Sequence, residues 1–196
     1  MIGVENIELF VLKCAAIERD LRKALSQFDE SALSKIETDK SLVDYVKQFD
    51  FENRLRAKKM SQYYELFYML ENDIRRIIAE TLEDVHGAKW WDICVDQPIK
   101  DEVERNKKRE AEAGISLRSD ADIDYTTFGQ LGDIIKKNWV NFAGMLSNQS
   151  ALSRVVFQLN MLRAAIAHCG VLADDEVDRL KLTIKDWFRV LAGPQT

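Results

Sequence analysis

Residues 157–191, FQLNMLRAAIAHCGVLADDEVDRLKLTIKDWFRVL, decide the fold. Two apolar stripes of helical period flank one break. Leu152, Val155, Val156, Leu159, Leu162 and Ile166 recur at three- and four-residue steps and stop at Cys169-Gly170. Val177, Leu180, Ile184, Trp187, Phe188 and Leu191 repeat the pattern after it. Asp174 stands between the stripes, where a helix start favours an acidic cap. Two amphipathic helices joined by a short loop pack as neighbours and bury their facing stripes, which is the repeating unit of a helical bundle.

Working outward, the same period runs through the chain. Thr127-Phe-Gly-Gln130 has the Thr-x-x-Gln form of a capping box and opens a helix with Leu131, Ile134, Ile135, Trp139, Phe142 and Leu146 on one face. A helix from about Ser61 to Val85 carries Leu66, Phe67, Leu70, Ile74, Ile77, Ile78, Leu82 and Val85, and Gly87 stops it. Of the adjacent tryptophans in GAKWWDI, one is expected to plug the core and the other to cap a neighbouring surface. Pro98 suits the first turn of a helix through IKDEVERNKKREAEAG, which is charged nearly all round and ends at Gly114. That segment reads as a surface arm, or as one that covers a substrate. A first helix from about Ile7 to Phe28, capped at Asn6, and shorter pieces around Ser31–Ile36 and Ser41–Phe49 precede the charged stretch ENRLRAKKMSQ. No alternating strand pattern appears. The expectation is an all-α protein, with an N-terminal helical extension at residues 1–58 and a helical domain at 59–196.

Composition narrows the function classes. The 196 residues include 46% hydrophobic ones, enough for a core, and only two prolines. The net charge of −5 supplies no global attraction to nucleic acid, so any such binding must use a local basic patch. Cys14, Cys94 and Cys169 form no CxxC pair, which points to a reduced, cytoplasmic setting without disulfides or a zinc ribbon. With only His86 and His168 and no ligand cluster, no metal and no cofactor are expected. The start, MIGVENIELFVLKCAAIERD, is broken by Glu5, Glu8 and Lys13 and reads neither as a secretory signal nor as a membrane span.

The chemistry concentrates at Arg163 and His168. With Leu159 at zero on a helical wheel, Arg163 falls at about 40°, inside the apolar stripe. A guanidinium is costly to bury unless it meets an anion. One reading is therefore a structural Arg paired with an acid on a neighbouring helix. The other is a phosphate site. Asn160, one turn earlier at the shoulder of the stripe, can share a polar pocket with Arg163. His168 points about 140° away from Arg163 on an undistorted helix. Either the helix ends or bends between them, or the pair converges on a groove, for which a two-fold axis between two copies is one solution. Arg can hold a phosphate and stabilise a charged transition state, and His moves protons near neutral pH. Together they suit metal-free attack of an RNA 2′-OH on phosphorus. Glu71, on the shoulder of the long helix, is either a surface acid or a carboxylate that orients Arg163 or His168. Lys58 and Lys59, with Arg75 and Arg76, either contact RNA phosphates or form solvated helix faces. His86 reads as a favourable cation at a helix C-terminus.

Residues 157–191, preceded by YYELFYMLENDIRRIIAETLEDVHGAKWW and IDYTTFGQLGDIIKKNWVNF, resemble HEPN domains (higher eukaryotes and prokaryotes nucleotide-binding), in the branch found with transcript-surveillance nucleases and in prokaryotic defence proteins. The resemblance covers roughly residues 60 to 192. It implies a dimerising bundle of four to five helices with a composite site at the interface. It also implies metal-independent endoribonuclease activity on RNA, often in toxins or antiviral effectors held by an antitoxin or regulatory partner. Arg163 and His168 match the catalytic Arg-x4-His pair of the family. Ala164 departs from the polar residue that often follows the Arg. Gly170 departs from a Tyr that some members carry two residues after the His and that an antitoxin modifies. A catalytically silent module that binds a protein or nucleotide, and a purely structural bundle with Arg163 sealed from solvent, are the competing readings.

Overall fold

In a computed structural model, residues 40–192 of the chain are described. The chain divides into two compact units, Met1–Asp50 and Phe51–Thr196. Of the first, the described part is α1 (Lys40–Val46) and the turn after it; the helix expected from Ile7 to Phe28, its cap at Asn6, the piece around Ser31–Ile36 and Cys14 lie outside the described residues.

The second unit is built on α2 (Phe51–His86), a helix of 36 residues. Its core residues Phe67, Leu70, Ile74, Ile78 and Leu82 form the stripe expected from the sequence. The helix starts earlier than Ser61, because Arg, Lys, Ala and Leu in the charged stretch are all strong helix formers. The boundary expected at residues 58/59 therefore falls inside one continuous helix. Gly87, at φ +68°, ends it. A 3-10 turn and the short α3 (Trp90–Cys94) follow. Trp90 and Trp91 meet edge to face at 5.5 Å, and both are half-buried against the core rather than divided between core and surface.

The remaining helices are α4 (Gln97–Glu112), with Pro98 in its first turn, α5 (Phe128–Lys137), α6 (Trp139–Phe142), α7 (Gln149–Ala167) and α8 (Asp174–Leu191). Among the described residues there is no strand, and the fold is an all-α helical bundle. The capping box of α5 forms as expected: Gln130 N–H donates to Thr127 Oγ1, and Thr127 N–H donates to Gln130 Oε1 at 2.8 Å. Asp174 does not cap α8. It is the first helical residue, and Ala173 holds the cap position, its N–H donating to Glu176 Oε2 at 2.8 Å. The acidic first turn still favours the positive end of the helix dipole.

Helix α7 packs along α8 and across α5, and α2 packs against α5, α6 and α7. The core where they meet contains Ile78, Leu82, Leu131, Ile135, Leu152, Leu159, Leu180 and Trp187, all nearly inaccessible. Burying such side chains yields roughly 1.5–3 kcal/mol each and dominates the stability. The approach of α5 to α7 depends on Gly132, where an added Cβ would lie 2.7 Å from Val156 Cγ1. Val156 is β-branched and has little rotamer freedom with which to yield.

Overpacking of this kind costs about 1–3 kcal/mol, against a helix-propensity gain of at most about 1 kcal/mol for Ala over Gly. Gly132→Ala is thus expected to lower the unfolding free energy by about 1 kcal/mol in a denaturant titration. The double variant with Val156→Ala is expected to escape the overpacking part of that cost.

Candidate functional site

A groove of about 570 Å³ opens between the middle of α2 and the last turns of α7. Tyr64, Phe67, Tyr68, Glu71, Asn72 and Arg75 line it from α2, Arg163, Ile166 and Ala167 from α7, and Arg118 and Asp124 from the segment between α4 and α5. Its position explains the anomalous arginine. The stripe of α7 is buried only as far as Leu159, and beyond it the same face leaves the core. Arg163 continues that face into the groove with a side chain 37% exposed, so it is not sealed in the interior. Helix α2 behaves likewise: on the wheel Tyr64, Tyr68, Glu71 and Arg75 fall within an arc of about 60°, on the side that carries Ile78 and Leu82 in the core further along.

Glu71 organises the groove. It is 9% exposed, and its two oxygens serve two arginines. Oε1 accepts from Arg75 Nη2 at 2.5 Å, and Oε2 lies 3.4 Å from Arg163 Nε. Arg75 also donates through Nη2 to the carbonyl of Thr126 at 3.1 Å, which ties α2 to the residue before the α5 cap. Arg75 is thereby committed to the frame of the site. Arg163 meets Glu71 through Nε, and no hydrogen bond from either Nη occurs among the described residues. A guanidinium held from behind in this way offers its outer edge to an oxyanion.

Arg118 enters the groove from a tethered loop. Its Nε donates to Glu110 Oε1 at 2.6 Å, Tyr125 Oη donates to Glu110 Oε2 at 2.9 Å, and its guanidinium lies 4.7 Å from the Tyr125 ring centre. The Arg118 hydrogen bond holds the Glu110 carboxyl below the usual carboxylate range, while burial, helped by Glu110, raises the Tyr125 phenol. Lys107 adds an ion pair to Asp122. The charged helix α4 buries Ile99 and Val103 and is packed on the bundle, not a free arm; it does not line the groove.

His168 is the C-cap of α7 and is exposed; it does not line the groove with Arg163. The helix ends there in a Schellman motif. Cys169 N–H donates to the Ile166 carbonyl at 3.0 Å and Gly170 N–H to the Ala165 carbonyl at 2.8 Å. Cys169 takes the left-handed position at φ 59°, where glycine is usual. Gly170 is required by crowding, since a Cβ there would sit 2.8 Å from the Ala165 oxygen. Of the two geometries open from the sequence, the helix end separates the pair.

The other expected residues divide. Asn160 does not line the groove; its Nδ2 lies 3.7 Å from where a Cβ on Gly129 would be, toward α5. Arg76 is exposed and pairs with Asp73 and Glu80 on its own helix. Lys59 reaches Asp174 at 3.7 Å, and Lys58 is exposed. His86 ends α2 and accepts at Nε2 from Asn141 Nδ2 at 3.2 Å. Tyr68, Asn72, Arg118 and Asp124 were not legible as site residues. The spacing of Tyr64, Tyr68, Glu71 and Arg75, a second stripe on α2, is the signal that marks the α2 wall.

Among the described residues, no group of three or more His, Cys, Asp or Glu is placed to hold a metal ion, and no helix is long and apolar enough to cross a membrane. The all-α bundle agrees with a HEPN domain, and the chain belongs to the HEPN superfamily on the match that follows. The family described as Swt1-like HEPN matches residues 65–192. Comparison with curated proteins and with solved structures returned no match.

Two outcomes are expected. Cys169→Gly relieves the left-handed strain and raises the unfolding free energy by about 1 kcal/mol, whereas Gly170→Ala lowers it; thermal unfolding monitored by circular dichroism measures both. Glu110, with its folded-state value lowered, stabilises the protein above its ordinary value of 4.5, and that contribution is lost as pH falls through the lower folded value. Thermal unfolding followed down through this acid range is expected to show a steeper loss for the wild type than for Glu110→Gln.

Proposed function

We propose that the protein is a metal-independent endoribonuclease whose site is completed by two copies of the chain. The observation that carries this reading is Arg163. Its Nε is held by a buried carboxylate, and its outer edge is open to a groove. Such a group binds a scissile phosphate and stabilises the charge that builds on its oxygens.

RNA supplies its own nucleophile. The 2′-OH loses its proton to a base and attacks phosphorus, the bond to the 5′-oxygen breaks, and an acid protonates that leaving oxygen. The products are a 2′,3′-cyclic phosphate and a 5′-OH end. One imidazole cannot serve both sides of the phosphorus at once. Two copies of His168, brought across a two-fold axis, supply a base and an acid. The exposed position of His168, outside its own chain's groove, supports that assignment. Released from control, such cleavage makes the protein a toxin or antiviral effector, restrained by an antitoxin or regulatory partner and acting in the cytoplasm.

Ala164 favours the second reading, a silent HEPN module that binds a partner protein or nucleotide, because no polar side chain follows the Arg to orient the phosphate. Incubation of RNA in chelator separates the two. Wild type is expected to generate cyclic-phosphate ends, with Arg163→Ala and His168→Ala each lowering the rate about 10²-fold or more. Because the site needs both imidazoles, a dimer of one wild-type and one His168→Ala copy is expected to be about as slow as the His168→Ala homodimer. Cleavage that survives both substitutions refutes the assigned site; intact RNA with a well-folded dimer establishes the silent module.

A further inference from the structure

Two exposed tyrosines stand in the groove with no structural task. Tyr64 and Tyr68 are each 62% exposed, one helical turn apart on α2, with ring centres 6.4 Å apart and planes tilted by 36°. Among the described residues neither hydroxyl makes a hydrogen bond. Two large exposed rings side by side cost solvation unless something covers them. They line the same groove as Arg163 and Asn72.

The groove also continues past them. A second groove of about 390 Å³ shares Tyr64 and Ile166 with the first and runs on to Arg56, Ser61 and Cys169. Tyr64 therefore stands at the junction of two compartments, with the Arg163 guanidinium in one and the Arg56 guanidinium in the other. From Arg56 to Asn72 the track follows α2 for about 24 Å. Two adjacent rings with a guanidinium on either side match a base and its flanking phosphates in a single strand. A duplex hides its base faces and offers nothing to stack on such rings.

We infer that Tyr64 and Tyr68 form a stacking subsite for unpaired nucleobases beside the phosphate held by Arg163, and that they restrict the site to single-stranded RNA. The inference rests on the reading of the groove as an RNA site, but concerns binding and specificity rather than cleavage. The rings hold the base, the guanidiniums of Arg163 and Arg56 hold the flanking phosphates, and the strand lies along α2.

The test uses the full-length protein and a short fluorescent RNA whose riboses are 2′-O-methylated, so that it binds without being cut. Tyr64→Ala and Tyr68→Ala are each expected to weaken binding of the single strand roughly tenfold, with Phe at either position restoring it. The same RNA annealed to its complement is expected to bind more weakly than the single strand and to be indifferent to all four variants. Light scattering is expected to give the wild-type mass for each. Wild-type affinity in the Ala variants overturns the proposal, as does equal binding of the duplex or no binding of the single strand by wild type. A changed mass in the Ala variants also overturns it, because the rings then belong to a contact between copies. If the Tyr variants lose binding while wild type leaves unmodified RNA intact, the stacking subsite stands and the nuclease reading falls.

Discussion

One buried carboxylate holds the groove in register. Glu71 sits between Arg75 and Arg163 and is almost inaccessible. Breaking a buried pair of this kind costs roughly 3–5 kcal/mol, because the orphaned charge stays behind. Here the arrangement is asymmetric. Arg75 donates through one nitrogen, Nη2, to both Glu71 and the Thr126 carbonyl and is mostly buried, and so belongs to the framework. Arg163 is satisfied at one nitrogen and remains half-exposed. The same carboxylate thus holds Arg75, which ties α2 to the residue before the α5 cap, and aims a cation from α7 at open solvent.

The groove lies along the edge of the core, where polar and aromatic side chains stand beside the buried stripes. Helices α2 and α7 cross where Ile78, Leu82, Leu152 and Leu159 are buried, and the close seat of α5 on α7 at Gly132 closes that end of the bundle. Beside Phe67, Leu70 and Ile74, which stay in the core, α2 presents Tyr64, Tyr68, Glu71 and Arg75 to the groove, and α7 presents Arg163. Loop 113–127 fills part of the opening with Arg118, held by Glu110 and stacked on Tyr125. The packed end supplies rigidity, and the open end supplies access from solvent.

Much of the bundle was legible because burial writes a period into the sequence. The stripe of α7, most of those of α2 and α8, the capping box at Thr127 and the stop at Gly87 came out as the periodicity and cap chemistry put them, but the helix expected to run through Leu146 breaks at Asn138 into α5 and α6, and Val85 and Phe188, placed on the stripes, are exposed. Arg163 was legible as an anomaly, but a wheel gives an angle and not a depth, so a residue at the end of a stripe looked like one inside it. The same limit applies to Asn160, which shares the shoulder of the stripe but turns toward Gly129. The start of α2 was placed too late because a charged stretch of strong helix formers resembles a linker when only apolar residues are counted. Arg118 and Tyr125 come together with Glu110 through folding at a distance, which local patterns do not encode.

The end of α7 gives the Arg-x4-His spacing a meaning that helical faces do not. With Gly170 pressed against the Ala165 carbonyl and Cys169 forced into the left-handed region, the terminus cannot slide along the chain. His168 is fixed to the terminus, and Arg163 is fixed to the groove by Glu71. The four residues between them therefore act as a ruler laid from a side wall to an end post. One residue more would swing the arginine by about 100° away from its carboxylate, and one fewer would do the same in the opposite sense. In this protein the motif measures the distance to where a helix stops.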